Sequence, residues 1–394
     1  MKRVFVGIDV AKDSSNGHGL NAEGASLFVE SFPMNGEGFS KLLDHIKGTS
    51  EDLSEVLVAM ESTACYHINL FSFLTAHGID AVVINPLLIS NFARLSLRKT
   101  KTDKKDAGTI AHFAMIHRDS ISQLSVTQDL QDLRDLARES ETLCQQISIN
   151  KTEIKRLLQT LFPELEAICE PSTKVMLDFL QKFSSARMVA AAKPKAVARA
   201  LTRKGVDTRL TYTAADLIQA AQHSVATVSP AKELILTGKI ATLKHLYERR
   251  HELTRALTEA CKAMMIEDLE ILTSINGIAV TTATAFLAEI GKITNFPSVK
   301  NLVAFAGIDP SVYQSGKYEG SSRLSKRGNR HLRRIIWLMT MCVIQHNPTF
   351  REYFTKRKKE GQPFKKAAFA TAHKLVRVIF AMLSQRTQFR QGCV

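Results

Sequence analysis

The spacing of apolar residues changes near residue 120, and no other feature constrains the fold of this chain as strongly. Before that point short strand-like runs alternate with helical ones. Val4-Phe5-Val6-Gly7-Ile8 is a β-prone run ending on Asp9, and residues 25–32 read as a second strand after the turn-like Asn21-Ala22-Glu23-Gly24. Phe39, Leu42, Leu43 and Ile46 then recur at helical spacing, and residues 56–60 form a buried-strand pattern ending on Glu61. A helix over 67–76 and a strand over 81–84 complete an alternation that predicts an α/β domain with a mixed sheet over residues 1–120.

After residue 120 the pattern is helical. Leu130, Leu133, Leu143, Ile147, Ile154, Leu157 and Leu161 approximate a heptad seam, and Ile240, Leu243, Leu246, Leu253 and Leu257 mark a second. Two long helices, over 130–162 and 234–261, predict an antiparallel pair, a dimerisation stalk or a plain helical bundle. They define a coiled-coil domain over 121–264, with an alanine-rich helical insertion at 165–232. In residues 269–296 two amphipathic helices meet at Ile275-Asn276-Gly277-Ile278, like a helix-hairpin-helix whose turn offers N–H groups to a phosphate; an ordinary helical turn has the same pattern. This opens a mainly α C-terminal domain over 265–394.

The net charge is +15, and it is unevenly placed. Residues 261–394 hold 21 Lys and Arg against 8 Asp and Glu, a net +13, which leaves +2 for the first 260. Positive charge concentrated in one third of a chain fits a phosphate backbone, whose neutralisation releases counterions. Six cysteines stand singly, with no metal-ligand rhythm, as expected of reduced thiols. Apolar stretches such as residues 335–344 are too short for a membrane helix, and Asp9 interrupts any leader-like run. The expectation is a cytoplasmic, bacterial-type, nucleoid-associated protein with no membrane partner.

Four acids occupy telling places: Asp9 and Glu61 at strand ends, and Asp103 and Asp106 three apart in KTDKKDA, on one face of a helix that starts there. Such carboxylates form a hard-oxygen site for Mg²⁺ or Mn²⁺. Singly, each has a plainer role, Asp103 as a helix cap and Asp9 as a strand end. Arg94, Arg98, Lys99, Lys101, Lys104 and Lys105 surround the pair, and acids for metal beside bases for phosphate is a nuclease-like combination.

GIDVAKD, MESTACYH and LRKTKTDKKDAGTIAHFA, in that order, resemble the N-terminal DEDD domain of the insertion-sequence-one-ten family of transposases, which includes the Piv-type DNA invertases. LTSINGIAVTTATAFLAEIG, FAGIDPSVYQSGKYEGSSRLSKRGNRHLRR and HNPTFREYF resemble the second domain of that family. The resemblance implies a RuvC-like RNase H fold, with Asp9, Glu61, Asp103 and Asp106 as a metal-binding tetrad. It further implies a nucleophilic serine at Ser315, a covalent phosphoserine link to donor and target DNA, and guidance by a structured noncoding bridge RNA.

The residues around Ser315 suit that role on their own terms. A serine hydroxyl attacks phosphorus only when its proton is removed and the developing charge is stabilised. Metal ions together with Lys317, Arg323, Lys326, Arg327 and Arg330 answer the second need, while Ser321, Ser322 and Ser325 are rivals in the same segment. Arg333 and Arg334 add phosphate contacts at the start of an apolar helix, and Gly277 adds one at the hairpin turn. Tyr313, Tyr318 and Phe350 are candidates for stacking on bases or for core packing. The alternatives are a metal-dependent nuclease or junction resolvase that uses water, a non-catalytic scaffold for nucleic acid, and an actin-like phosphate-binding fold, which lacks its further glycine-rich loops here. Strand exchange needs at least two active sites, so a homodimer or homotetramer is expected.

Overall fold

The computed structural model describes residues 2–61, 65–84, 89, 92, 103–118, 128–202, 210–311, 314–315, 318–319, 323–324 and 326–390. Two compact units emerge, one made of residues 1–132 with 291–297 and the other of 133–290 with 298–394.

The first unit is built on five strands: β1 (Val4–Asp9), β2 (Ser14–Asn21), β3 (Ser26–Pro33), β4 (Val56–Glu61) and β5 (Asp80–Ile84). Their order in the sheet is β3-β2-β1-β4-β5. β1 is antiparallel to β2 and parallel to β4, which is in turn parallel to β5. Alternate side chains of β1 serve two cores, as a pleated strand requires. Val4, Val6 and Ile8 pack with α1 (Gly36–Thr49) and α2 (His67–Ala76), through Leu42, Ile46, Leu70 and Leu74. Phe5 joins Leu57, Ala59 and Val82 on the other face, under Ile110, Phe113 and Ala114 of α3 (Asp103–Ile116). The sheet is therefore covered on both faces. The expected strands are all present, and β2 is additional: its SSNGHGLN sequence has no apolar alternation to announce a strand.

The second unit begins within α4 (Gln128–Leu161), which starts in the first. Five shorter helices follow: α5 (Leu165–Ile168), α6 (Lys174–Lys182), α7 (Ala186–Ala191), α8 (Pro194–Leu201) and α9 (Ala214–Gln222). They share one core with Ile154, Leu158 and Leu161 of α4 and Leu236, Ile240 and Leu243 of α10 (Pro230–Thr273). α4 and α10 run antiparallel, bridged by Lys239–Glu153 and by Lys232 Nζ donating to Thr160 Oγ1 at 3.2 Å. Of the arrangements that two heptad-like stretches allow, the antiparallel pair is the one seen within the chain. α10 extends twelve residues past Cys261 and breaks at Met265, where φ is −144° and ψ 45°.

The remaining helices are α11 (Val280–Ile290), α12 (Val299–Ala306), α13 (Arg330–His346), α14 (Pro348–Lys359) and α15 (Phe364–Gln385). Between α12 and α13 lie four two-residue strands: β6 (Pro310–Ser311), β7 (Gln314–Ser315), β8 (Tyr318–Glu319) and β9 (Arg323–Leu324). Among the described residues α15 alone is long and apolar enough to cross a membrane, but half of its apolar window is buried and it is a core helix.

Candidate functional site

Asp9 and Glu61 end β1 and β4, and the register that sets Ile8 opposite Met60 brings both to the same edge of adjacent parallel strands. Both are half-buried. α3 lies directly on β1: a Cβ added at Gly7 would sit 2.2 Å from the Ala107 carbonyl oxygen and 2.3 Å from the Ala111 nitrogen, an approach only glycine permits. At the other end of β1, Val4 pairs with Asn21, and the adjoining turn at Gly24 faces Met115 near the end of α3. α3 thus runs antiparallel to β1, and its first turn, with Asp103 and the half-buried Asp106, lies toward Asp9.

His18, opposite Gly7 in β2, is held below the usual histidine range by burial and then by the nearby charge of His112. Of Asp103, Lys104 and Lys105 the backbone alone is described; Arg98, Lys99 and Lys101 lie outside the described residues. Among the described residues no three His, Cys, Asp or Glu side chains form a ready-made metal group. Asp9, Glu61 and Asp106 are carboxylates, the hard-oxygen type that suits Mg²⁺ or Mn²⁺.

Ser315 belongs to the second unit. β6 pairs with β9, Pro310 opposite Leu324, and inside that ladder β7 pairs with β8, Ser315 opposite Tyr318. Ser315 is therefore the last paired residue before Gly316 and Lys317, which lie outside the described residues, as do Tyr313, Ser321, Ser322 and Ser325. Ser315, Tyr318 and Arg323 are described in backbone only.

Lys326, Arg327 and Arg330 are exposed on the approach to α13. Asn329 caps that helix, accepting from the backbone nitrogens of His331 and Leu332 at 2.9 and 3.0 Å. Arg333 donates to the Ala306 carbonyl at 3.2 Å, and Arg334 pairs with Glu141 at 3.2 Å, so both are partly engaged within the protein. Phe350 is fully buried, and core packing is its role. Gly277 has φ 101°, and a Cβ there would lie 2.8 Å from the Cys342 carbonyl oxygen, so the hairpin turn packs against α13; its neighbour Asn276 is exposed.

Within the second unit a polar network centred on the buried Glu289 joins α4, α11 and α13, and sequence patterning did not announce it. Glu289, at the end of α11, accepts from Arg138 Nε at 2.9 Å and Nη2 at 3.0 Å, and from Asn329 Nδ2 at 2.5 Å. Burial works to raise its carboxyl, but the hydrogen bonds from Arg138 and Asn329 and the charges of Arg138 and His331 outweigh it and hold it below the ordinary range. Arg134 donates to the carbonyls of Ala288 and Glu289 at 3.0 and 3.3 Å, where a helix C-terminus favours a cation. His331 Nδ1 meets Glu141 at 2.7 Å. One face of α4 therefore fastens the end of α11 and the capped start of α13, the helix that follows the Ser315 hairpin. The available signal was a single carboxylate in an otherwise apolar run, FLAEIG.

Comparison with known proteins covers both units. A family model for DEDD transposases of the IS110 type, described as "Transposase", matches residues 6–163, and one described as "Transposase IS116/IS110/IS902 family" matches 269–355. An insertion element IS110 protein of 43.6 kDa from Streptomyces coelicolor is 24% identical, over 98% of this chain and 95% of its own. An insertion element IS900 protein from Mycobacterium paratuberculosis is 26% identical over 96% and 95%. The pilin gene-inverting protein of Moraxella bovis is 21% identical over 99% and 98%. With family models matched in order at both ends and relatives aligned over nearly the whole chain, the protein belongs to the IS110 family of insertion-sequence transposases.

Proposed function

We propose that this transposase is a DNA recombinase that cuts and rejoins strands through a DEDD metal site and a covalent link at Ser315. The observation that carries the reading is the meeting of Asp9 and Glu61 at one strand edge with the first turn of α3, the helix of Asp103 and Asp106, directed to the same edge by contact at Gly7. The sheet order β3-β2-β1-β4-β5, with β1 and β4 parallel at its centre, supports a RuvC-like RNase H fold. The three-part division at about 120 and 264, with α4 and α10 as a coiled coil, is part of the same proposal.

Asp9, Glu61, Asp103 and Asp106 would hold Mg²⁺ or Mn²⁺, which supplies stabilisation of charge on a reacting phosphate. Ser315 Oγ bonds to phosphorus, the bond from phosphorus to a deoxyribose oxygen breaks, and the serine proton ends on that leaving oxygen. Attack on the phosphoserine by a second strand reverses these changes and restores the serine. Backbone energy is conserved in the ester, so no nucleotide cofactor is needed. Lys317, Arg323, Lys326, Arg327 and Arg330, with the basic residues Arg98, Lys99, Lys101, Lys104 and Lys105, would grip phosphates of donor DNA, target DNA and a bridge RNA. The working form would be a homodimer or homotetramer.

The test is trapping of protein on labelled element-end DNA. Wild type should give a denaturant-resistant adduct with Mg²⁺ present, and Ser315→Ala should give none while still binding nucleic acid. An adduct that survives Ser315→Ala moves the nucleophile elsewhere, Ser325 first; cleavage with no attached protein at any stage identifies hydrolysis by water instead.

A further inference from the structure

A cleft of about 990 Å³ lies in the second unit between α13 and α15; it shares Lys326 and Arg330 with the phosphate grip proposed above, while Lys365, Lys366, Trp337 and Phe369 have no part in that proposal. Lys326 and Arg330 stand on one wall and Lys365 and Lys366 on the other, while Trp337 and Phe369 line the interior. The two rings are 5.1 Å apart between centroids and inclined by 39°, and each is half-exposed. Among the described residues no carboxylate lines the cleft, and Lys326, Lys365 and Lys366 form no ion pair.

Each of these observations selects the ligand. Unpaired like charges crowded on facing walls repel one another until a polyanion neutralises them, and a phosphate backbone does so with release of counterions. A duplex could satisfy the cations, but its bases stay stacked on one another and would leave the aromatic interior unused. An unpaired strand presents phosphates and free base faces together, and bases of any identity stack on aromatic rings. The volume lies at the upper end of ordinary ligand cavities, roughly 300–1,000 Å³, which leaves room for a base with its sugar and phosphate.

We propose that this cleft binds an unpaired stretch of nucleic acid, with phosphates between Lys326, Arg330, Lys365 and Lys366 and a base against Trp337 and Phe369. The inference rests on the reading of the chain as a protein that acts on nucleic acid, but on neither the acids nor Ser315.

Trp337 is the only tryptophan in the chain, so its emission reports on this cleft alone. The full-length protein is titrated in EDTA at low salt with oligothymidylate, oligouridylate and a DNA duplex of matched length, with binding followed in parallel by mobility shift. Either single strand should quench Trp337, the tighter of the two marking the natural ligand as DNA or RNA, and the duplex should bind without comparable quenching. Lys365→Ser with Lys366→Ser, both at exposed positions, should weaken single-strand binding about tenfold and reduce the dependence on salt by about two phosphate contacts. Phe369→Leu keeps the apolar volume and the reporter, and should weaken the single strand about five- to tenfold while leaving the duplex unaffected. Strand binding with Trp337 unquenched, equal quenching by duplex, or a double-lysine variant that binds like wild type would each overturn the cleft while leaving the proposed recombinase intact. Failure to bind any nucleic acid would remove both.

Discussion

Glu289 and Arg138 form a two-point ion pair in which the glutamate side chain is 1% exposed and the arginine side chain 41%. A carboxylate this deeply buried is tolerable because Arg138 and Asn329 together donate three hydrogen bonds to it. The pair joins residues 151 apart in sequence.

Arg138→Ala strands that carboxylate with Asn329 as its remaining donor. Removing one partner of a buried pair costs roughly 3–5 kcal/mol, and the exposure of Arg138 brings the expectation to about 2–3 kcal/mol. Chemical denaturation measures the loss, and an unchanged midpoint would show that the pair contributes nothing.

The same network carries a pH dependence with a defined sign. The Glu289 carboxyl is lowered in the folded protein, so its contribution is complete above the ordinary carboxylate value, about 4.3, and is lost as pH falls from there through the folded value. Glu289→Gln should be less stable at neutral pH and should show a shallower loss on acidification. Parallel acid limbs for the two proteins would assign acid unfolding to other groups.

At Gly7 the expectation is steric. Gly7→Ala drives a methyl group into the backbone of α3 at Ala107 and Ala111, and backbone cannot rotate out of the way as a side chain can. Overpacking of this kind costs roughly 1–3 kcal/mol, and the displaced first turn should take recombination down by far more than the melting temperature suggests. Normal activity in a destabilised Gly7→Ala protein would separate the acids from this contact.

For the acids, Asp9→Ala should eliminate Mg²⁺-dependent strand chemistry while the folded protein still binds DNA in EDTA. Strand exchange at wild-type rate in that variant would remove the metal site from the mechanism.

Much of the first unit was legible because strands buried on both faces are continuous apolar runs, as in residues 4–8 and 56–60, and their terminal acids stand out against them. β2 was not, because its serines, glycines, asparagines and histidine carry no period of two; backbone pairing with β1 and β3 makes it a strand. The long helices were visible as stripes, but the extension of α10 to Thr273 and its break at Met265 lie where the stripe has already ended. At the candidate site, sequence could supply residue types and their order. That Gly7 is the seat of α3, that Gly277 rests on the backbone of Cys342, and that Glu289 needs Arg138 are facts of distant chain segments meeting, which no local pattern encodes.

The chain passes from the first unit to the second after Asp132, comes back for Gly291–Pro297, and leaves again at Ser298. Three covalent crossings have a practical result. No single nick releases either unit intact, and no single splice point exchanges one between relatives. For a transposase divided in this way, the two units are inherited as one indivisible piece.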